Sequence, residues 1–197
     1  MLFLKAISAL SGPNDPIRLP PGSSKTDWEV ELAMVVGRCA RRVPVDRALS
    51  HVAGYCIGHD LSEREFQFER GPTWDKGKSC DTFCPLGPWL VTRDEAGDPQ
   101  DLDLWLNVNG VAMQSSNTRD MVFSCAEILS CVSHFMTLLP GDVILTGTPP
   151  GSGFTRQPPR FLAPGDRVGL GIAGLGEQRQ RVQGSRMQDP GSGRSNA

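Results

Sequence analysis

The sequence predicts a strand-rich α+β domain with a few short helices. Its 197 residues suit one domain with its own core, and 22 glycines and 16 prolines supply many turns. Short apolar segments bounded by these turn residues recur along the chain, without a regular β-α-β alternation. We therefore expect one domain at residues 1–182 and a disordered tail rich in Gly, Ser and Arg at residues 183–197.

The first half of the chain contains two candidate strands before its first helix. Residues 1–10 suit an edge strand, and residues 28–36 form the first strongly apolar segment. Between them lies a turn-rich loop. The segment "VDRALSHVAG" predicts a short helix, with Asp46 as N-cap and Gly54 just past its end.

The segment "YCIGHD" predicts a short strand that ends at Asp60. Ser62 and Glu65 follow with the spacing of a capping box, which predicts a helical turn directly after this acid. An acidic side chain at the end of an apolar strand, next to a helical turn, is well placed to bind a ligand.

The second half of the chain alternates strands with one good helix. "GPWLVTRDE" and "LDLWLNVNGVAMQ" predict strands, the second reversed at the hairpin signal Asn109-Gly110. Ser124 and Glu127 form a capping box at the start of the helix. "DVILTG" and "RVGLGIAGLG" predict the last strands. The predicted apolar stripe of the helix consists of Ile128, Val132, Phe135 and Leu139.

Several function classes are disfavoured. The net charge of −2 gives no reason to expect nucleic acid or an anionic membrane as a partner. No apolar run approaches the ~18 residues of a spanning helix, and the N-terminus lacks the pattern of a signal peptide. The six cysteines contain no CxxC pair, which favours reduced thiols in a cytoplasmic protein. "GLGIAG" matches a dinucleotide-binding pattern, but no helix is predicted after it.

Two glutamates stand at spacing two in the strand "TDWEVELAMVVG". Residues at this spacing point to one face of a strand, so Glu29 and Glu31 point the same way beside apolar neighbours. Two ionised carboxylates about 5 Å apart repel by roughly 3 kcal/mol at an effective dielectric of ~20. The face is therefore solvated, or one group is protonated, or a cation lies between them. Asp60 as a third acid favours the cation, and oxygen ligands suit Mg²⁺, Mn²⁺ or Ca²⁺.

Two further polar positions are candidates. Lys78 lies between Gly77 and Ser79, and a lysine near a metal–carboxylate centre would stabilise a bound anion. The alternative is an exposed loop lysine. Thr148 follows Gly147 after an apolar strand, so its hydroxyl either contacts substrate or belongs to an ordinary turn.

These segments together resemble the fumarylacetoacetate hydrolase (FAH) family over residues 1–182. The resemblance implies a strand-rich mixed β roll, a homodimer, and Mg²⁺ or Mn²⁺ acting on small 2-oxo acids. The motifs that carry it are "DWEVELAMVVG", "HVAGYCIGHDLSERE", "GKSCDTFCPLGPWLVT", "MVFSCAEILS", "MTLLPGDVILTGTPPGSG" and "FLAPGDRV…GLGEQRQ". By position, it implies metal ligands Glu29, Glu31 and Asp60, a catalytic Lys78, and substrate contacts Gln67, Thr82 and Thr148.

The implied reaction is metal-dependent hydrolysis of a C–C bond in a 2,4-dioxo acid such as 2,4-diketo-3-deoxy-L-fuconate. Lys78 would stabilise the enolate of the departing pyruvate fragment, so we expect it to support substrate charge rather than the fold. Family members carry an "NY…H…E" motif upstream of the "LFLKAISAL" segment, and its His and Glu activate water. That motif does not precede Leu2, so we expect metal and oxalate binding with slow hydrolysis. A lyase, isomerase or oxaloacetate decarboxylase, or a metal-binding remnant, are the alternatives.

Overall fold

A computed structural model describes residues 1–185 of the chain, and most of that segment is β-sheet. Twelve strands occur in this part: β1 Leu10–Ser11, β2 Ile17–Arg18, β3 Thr26–Asp27, β4 Val30–Val36, β5 Val52–His59, β6 Ser62–Glu63, β7 Cys84–Thr92, β8 Asp103–Val108, β9 Val111–Asn117, β10 Val143–Leu145, β11 Arg167–Ile172 and β12 Gly176–Gln183. The α-helices described are α1 Val45–Ala48, α2 Arg64–Phe68, α3 Asp75–Lys78 and α4 Cys125–Phe135. Short 3₁₀ turns lie at Ile7–Ala9, Leu49–His51, Thr118–Asp120 and Gly153–Thr155.

The strands form two five-stranded sheets and one two-stranded sheet. The first sheet has the order β1-β7-β5-β4-β10 and the second β2-β12-β11-β8-β9, while β3 pairs with β6. Both large sheets are mixed, because β1–β7 and β2–β12 are parallel and the other pairs are antiparallel. Apolar side chains from both sheets form one buried cluster. The strand-rich α+β class with few short helices is confirmed.

The pairing of β4 with β5 positions the acidic residues. The two strands are antiparallel, and Val30 lies opposite His59. The Asp60 backbone N–H donates to the Glu29 carbonyl at 2.9 Å. Asp60, directly after β5, is therefore held beside Glu29, directly before β4.

Two of the predicted local signals are wrong. The helix predicted from Asp46 to Gly54 is only α1 and a 3₁₀ turn, because β5 already begins at Val52. Gly54 lies inside that strand, where an added Cβ would stand 2.2 Å from the Val91 carbonyl oxygen. Ser62 does not cap a helix, because it lies in β6, and Glu63 caps α2 by accepting from the Glu65 N–H.

The best predicted helix is confirmed, but its buried face differs. The Ser124–Glu127 capping box is present at the start of α4. The helix buries Cys125, Leu129 and Val132, whereas Phe135 is 75% exposed at its last residue. Of the predicted stripe, Val132 is buried and Ile128 is partly buried, whereas Phe135 and Leu139 are exposed and Leu139 lies beyond the end of α4. The Asn109-Gly110 turn is confirmed, since both residues have positive φ (52° and 79°) between β8 and β9.

Strands lie near both ends of the described segment. The predicted N-terminal edge strand is limited to β1, which pairs with β7 at the sheet edge. At the other end β12 extends to Gln183, and residues 186–197 of the predicted tail lie outside the described residues. No helix within residues 1–185 has both the length and the apolar character needed to cross a membrane.

Candidate metal centre

The three predicted acids converge at one place. Glu29, Glu31 and Asp60 each offer a carboxylate oxygen, and these oxygens lie within 4.8 Å of one another. All three side chains are buried, at 8%, 3% and 1% exposure. A buried group of three carboxylates is unfavourable without cations, so the arrangement fits an oxygen-preferring divalent ion.

Glu31 has the least compensated charge of the three. Burial raises its pKa well above the usual range, and the charges of Asp60 and Glu29 raise it further. The Glu31 Oε2 accepts from the backbone N–H of Gly147 at 2.6 Å, and the charge of Lys78 also lowers the pKa of Glu31. Gly147 has a φ of 99°, a left-handed conformation that glycine adopts without strain and that allows this turn.

Lys78 is buried in the centre of the acidic group, so it is not an exposed loop lysine. It is 2% exposed, and its Nζ donates to Glu29 Oε2 at 2.7 Å and to Asp60 Oδ2 at 2.5 Å. Burial alone would lower its pKa, but Asp60 and Glu29 raise the pKa overall, so the ammonium stays charged at neutral pH. Gly77 allows α3 to approach this closely, because an added Cβ would stand 2.4 Å from the Glu63 carbonyl oxygen.

Lys5 is a second lysine at the centre, and sequence reasoning missed it. Its Nζ donates to Asp60 Oδ1 at 2.6 Å and also to the backbone carbonyl of Lys78. Burial on its own would raise the pKa of Asp60, but the ammonium groups of Lys5 and Lys78 lower it. Asp60 is therefore an ionised carboxylate fixed from two sides.

Arg64 is the third cation, and it was also missed. Its Nη2 donates to Glu29 Oε1 at 2.5 Å, its Nε to Asp27 Oδ1 at 2.7 Å, and its Nη1 to Gln67 Oε1 at 3.0 Å. Burial raises the pKa of Asp27 to about 6, although Arg64 acts in the opposite direction. Because one planar guanidinium holds three groups, Arg64 orients both the predicted metal ligand Glu29 and the predicted substrate contact Gln67.

Arg64→Lys is expected to lower the free energy of unfolding by about 2 kcal/mol, because an ammonium cannot hold the three partners in the same geometry. Urea unfolding measures this change. Arg70→Lys is the matched control, since the Arg70 side chain is 52% exposed, pairs with Glu65 and lies over the Phe66 ring. We expect the control to cost less than about 1 kcal/mol. Equal losses in the two variants would contradict the orienting role of Arg64.

The predicted substrate contacts occupy different environments. Gln67 is 1% exposed, and its Nε2 has no hydrogen-bond partner among the described residues. An amide donor left free in the interior is well suited to a ligand. Thr148 donates its hydroxyl to the Val30 carbonyl at 2.9 Å and accepts from Gln114 Nε2. Thr82 accepts from the Arg18 backbone N–H at 2.9 Å, so its contact is with β2 and not with the acidic group.

A cleft of about 520 Å³ opens beside the acidic group. The charged residues at its wall are Glu29 and Arg64, and the other lining groups are aromatic rings, prolines and hydroxyls. The lining residues are Glu29, Arg64, Phe68, Thr148, Pro149, Pro150, Ser152, Phe154 and Thr155. Among the three acids, Glu29 lines this pocket, which has room for a small molecule.

The sequence profile described as fumarylacetoacetate (FAA) hydrolase C-terminal matches residues 1–183. The chain belongs to the fumarylacetoacetate hydrolase family. A relative from Sphingomonas sp. (strain SKA58), named 2,4-didehydro-3-deoxy-L-rhamnonate hydrolase, is 56% identical over 183 residues, which are 92% of this chain and 64% of that protein.

Solved FAH-family structures share the fold. The fumarylacetoacetate hydrolase of Exiguobacterium antarcticum has a TM-score of 0.90 at 42% identity, covering 93% of this chain and 66% of that one. The 2-hydroxyhepta-2,4-diene-1,7-dioate isomerase of Mycobacterium marinum has a TM-score of 0.84 at 43% identity, covering 92% and 68%. Since the first curated relatives are matched over only 65–66% of their length, this chain spans slightly less than two thirds of them.

Proposed function

We propose that this chain carries the metal-binding part of a hydrolase that cleaves a C–C bond in a small 2,4-dioxo acid, such as 2,4-diketo-3-deoxy-L-fuconate or a similar deoxy sugar acid. The observation that carries the proposal is the buried group of Glu29, Glu31 and Asp60, in which Lys78 bonds to Glu29 and Asp60 and Glu29 lines a cleft. The name of the Sphingomonas relative supports an acid of this type.

Mg²⁺ or Mn²⁺, held by the three carboxylates, would act as a Lewis acid toward a 2-oxo acid. In the reaction, water adds to the 4-oxo carbon and the bond between C3 and C4 breaks. Its electron pair stays on the three-carbon fragment as an enolate, which takes up a proton to give pyruvate, while the acyl fragment leaves as a carboxylic acid.

The residues of this chain can serve the enolate half of that reaction. Lys78 keeps its proton and presents a positive charge in a site shielded from water, where it is most effective. Gln67 can donate its unpartnered amide to a substrate oxygen, and Arg64 holds it in place. Thr148 lines the cleft, but its hydroxyl proton is already donated to Val30, so it can only accept from a substrate.

An isomerase or decarboxylase is the second candidate. These reactions also pass through an enolate but demand less activation of water. Within residues 1–185 no histidine lines the cleft, and His59 is buried with its Nδ1 bonded to Gln180 Oε1. The structural similarity to the Mycobacterium marinum isomerase also favours this alternative.

The test follows 2,4-dioxo acid cleavage and oxaloacetate decarboxylation in parallel, each with Mg²⁺, with Mn²⁺ and with EDTA. We expect metal-dependent cleavage of the 2,4-dioxo acid, lost in EDTA. Decarboxylation without cleavage would favour the second candidate. Metal and oxalate binding without either reaction would leave this chain as a metal-binding remnant.

We also propose that the chain forms a homodimer and takes a small 2-oxo acid as its ligand. Large apolar side chains remain exposed around α4, notably Val122 at 88%, Phe123 at 62% and Phe135 at 75%. Exposed apolar side chains of this size are suited to burial against a second copy of the chain. Sedimentation velocity should therefore give twice the chain mass of 21.4 kDa.

A further inference from the structure

The cleft beside the acidic group has an inner and an outer part of different chemistry. Glu29 and Arg64 form the inner part and belong to the charged cluster. The outer part consists of Phe68, Phe154 and Ser152 with neighbouring prolines and threonines, and none of these is charged. A substrate that places its 2-oxo acid end at the carboxylates would extend its acyl end over this outer part.

Two aromatic rings form the apolar wall of the outer part. The ring centroids of Phe68 and Phe154 are 5.4 Å apart, and each residue is 45% exposed, whereas Phe83 in the core is fully buried. Burying such faces against a ligand is favourable. The wall is also fixed, because the Phe154 backbone N–H donates to Asp27 Oδ2 at 2.7 Å. It is therefore formed before a ligand arrives.

Ser152 provides a polar group in the same wall. Within residues 1–185 its Oγ hydrogen-bonds only to Thr155 Oγ1, at 3.3 Å, while Thr155 donates its own hydroxyl proton to the Ser152 carbonyl at 2.9 Å. The lone pairs of Ser152 Oγ are thus free to accept a hydrogen bond. Gly153 fixes this position, because an added Cβ would stand 2.0 Å from the Arg160 carbonyl oxygen.

A carboxylate in the outer part would find no free cation among the lining residues. The guanidinium of Arg64 is already shared among Asp27, Glu29 and Gln67, and two of these partners are carboxylates. Its face also lies 5.8 Å from the centre of the Phe154 ring. Moving a carboxylate from water onto the two rings would be costly without a paired charge.

We propose that Phe68, Phe154 and Ser152 form a subsite for the acyl end of the substrate. This subsite selects 2,4-dioxo acids whose acyl end is uncharged and carries a small apolar group and a hydroxyl, over those that end in a second carboxylate. The inference rests on the proposed function, because it requires the 2-oxo acid end to lie at Glu29, Glu31 and Asp60.

The test uses unreactive oxamates that share one 2-oxo acid head, bound to the full chain with Mn²⁺ and measured by calorimetry. N-(2-hydroxypropyl)oxamate carries the uncharged hydroxylated tail, N-isobutyloxamate replaces its hydroxyl with a methyl group, and N-oxalylglycine ends in a carboxylate. Oxalate is the head alone. We expect N-(2-hydroxypropyl)oxamate to bind at least about tenfold more tightly than N-oxalylglycine.

Substitutions in the outer part of the cleft test which residues cause the preference for an uncharged, hydroxylated tail. Phe154→Ala should weaken both uncharged-tail compounds by roughly tenfold and leave oxalate within about twofold. Phe154→Leu keeps an apolar side chain and should lose less affinity for these compounds than Phe154→Ala. It serves as a second variant in case Phe154→Ala does not fold. Ser152→Ala should weaken the hydroxypropyl compound but not the isobutyl one. Trp89→Ala is the matched control, since Trp89 is 58% exposed and is not among the cleft-lining residues.

The outcomes separate this inference from the proposed function. If oxalate binds but N-oxalylglycine binds as tightly as the hydroxypropyl compound, the subsite is rejected and the metal centre stands. The subsite is also rejected if Phe154→Ala weakens oxalate by the same factor as the tailed compounds. If oxalate does not bind with Mn²⁺ present, the proposed function fails and the subsite fails with it.

Discussion

Glu31→Gln is expected to weaken Mn²⁺ binding by at least about tenfold, equivalent to about 1.4 kcal/mol. The substitution keeps the shape of the side chain and an oxygen that can accept from the Gly147 N–H. It removes the negative charge that a divalent ion needs most in a buried site. Calorimetric titration with Mn²⁺ should give one site per chain for the wild type.

The same variant should be no less stable than the wild type in EDTA. Burial and the charges of Asp60 and Glu29 raise the pKa of Glu31, so ionising this group opposes folding in the absence of a cation. The thermal shift produced by Mn²⁺ should nevertheless shrink, because weaker binding stabilises less. Glu63→Gln is a matched control: Glu63 is equally buried, but its carboxylate contacts Ser23, Thr26 and the Lys25 backbone. Equal Mn²⁺ affinity in wild type and Glu31→Gln would reject the ligand assignment.

The strands were predictable where apolar periodicity is strong, and the helices less so. The β4 and β5 segments and the capped start of α4 follow from local pattern. The short helices depended on tertiary contacts that local pattern does not contain. Gly54 resembles a helix stop in sequence, but it lies in β5, where the backbone of the neighbouring strand β7 is too close for a side chain. Ser62 has cap spacing, yet its segment pairs with β3.

The acidic centre was predictable because charged side chains in an apolar strand are unfavourable unless a cation or another partner compensates them. Spacing two placed Glu29 and Glu31 on one face, and Asp60 stood out at a strand end. Lys5 and Arg64 gave no such signal: each is one basic residue in an ordinary polar context, and only the fold brings it to the acids. The only sequence feature that points to Arg64 is its position four residues after Asp60. A helical turn that follows a strand can direct such a side chain back toward the strand end.

Lys78→Met is expected to destabilise the metal-free protein by about 3–5 kcal/mol, because it removes the cation that Glu29 and Asp60 share and leaves each of these buried carboxylates with a single cationic partner. This replaces the sequence-based expectation that Lys78 supports substrate charge rather than the fold. The reason is its burial at 2% exposure and its bonds to both Glu29 and Asp60. Urea unfolding in EDTA measures the loss. Lys76→Met is the matched control, since Lys76 lies in the same helix α3 but is exposed and bonded to Thr73.

Mn²⁺ should restore more stability to Lys78→Met than it adds to the wild type. The ammonium and a divalent ion bind oxygens of the same carboxylates, so removing the ammonium removes a competitor and leaves the negative charge for the metal. Oxalate binding should still weaken, because a cation that stabilises a bound anion is lost. A variant that is as stable as the wild type in EDTA would show that the acids carry little charge without metal. If Lys78→Met is less stable in EDTA but Mn²⁺ stabilises it no more than it stabilises the wild type, the ion does not bind at Lys78 and its two carboxylates.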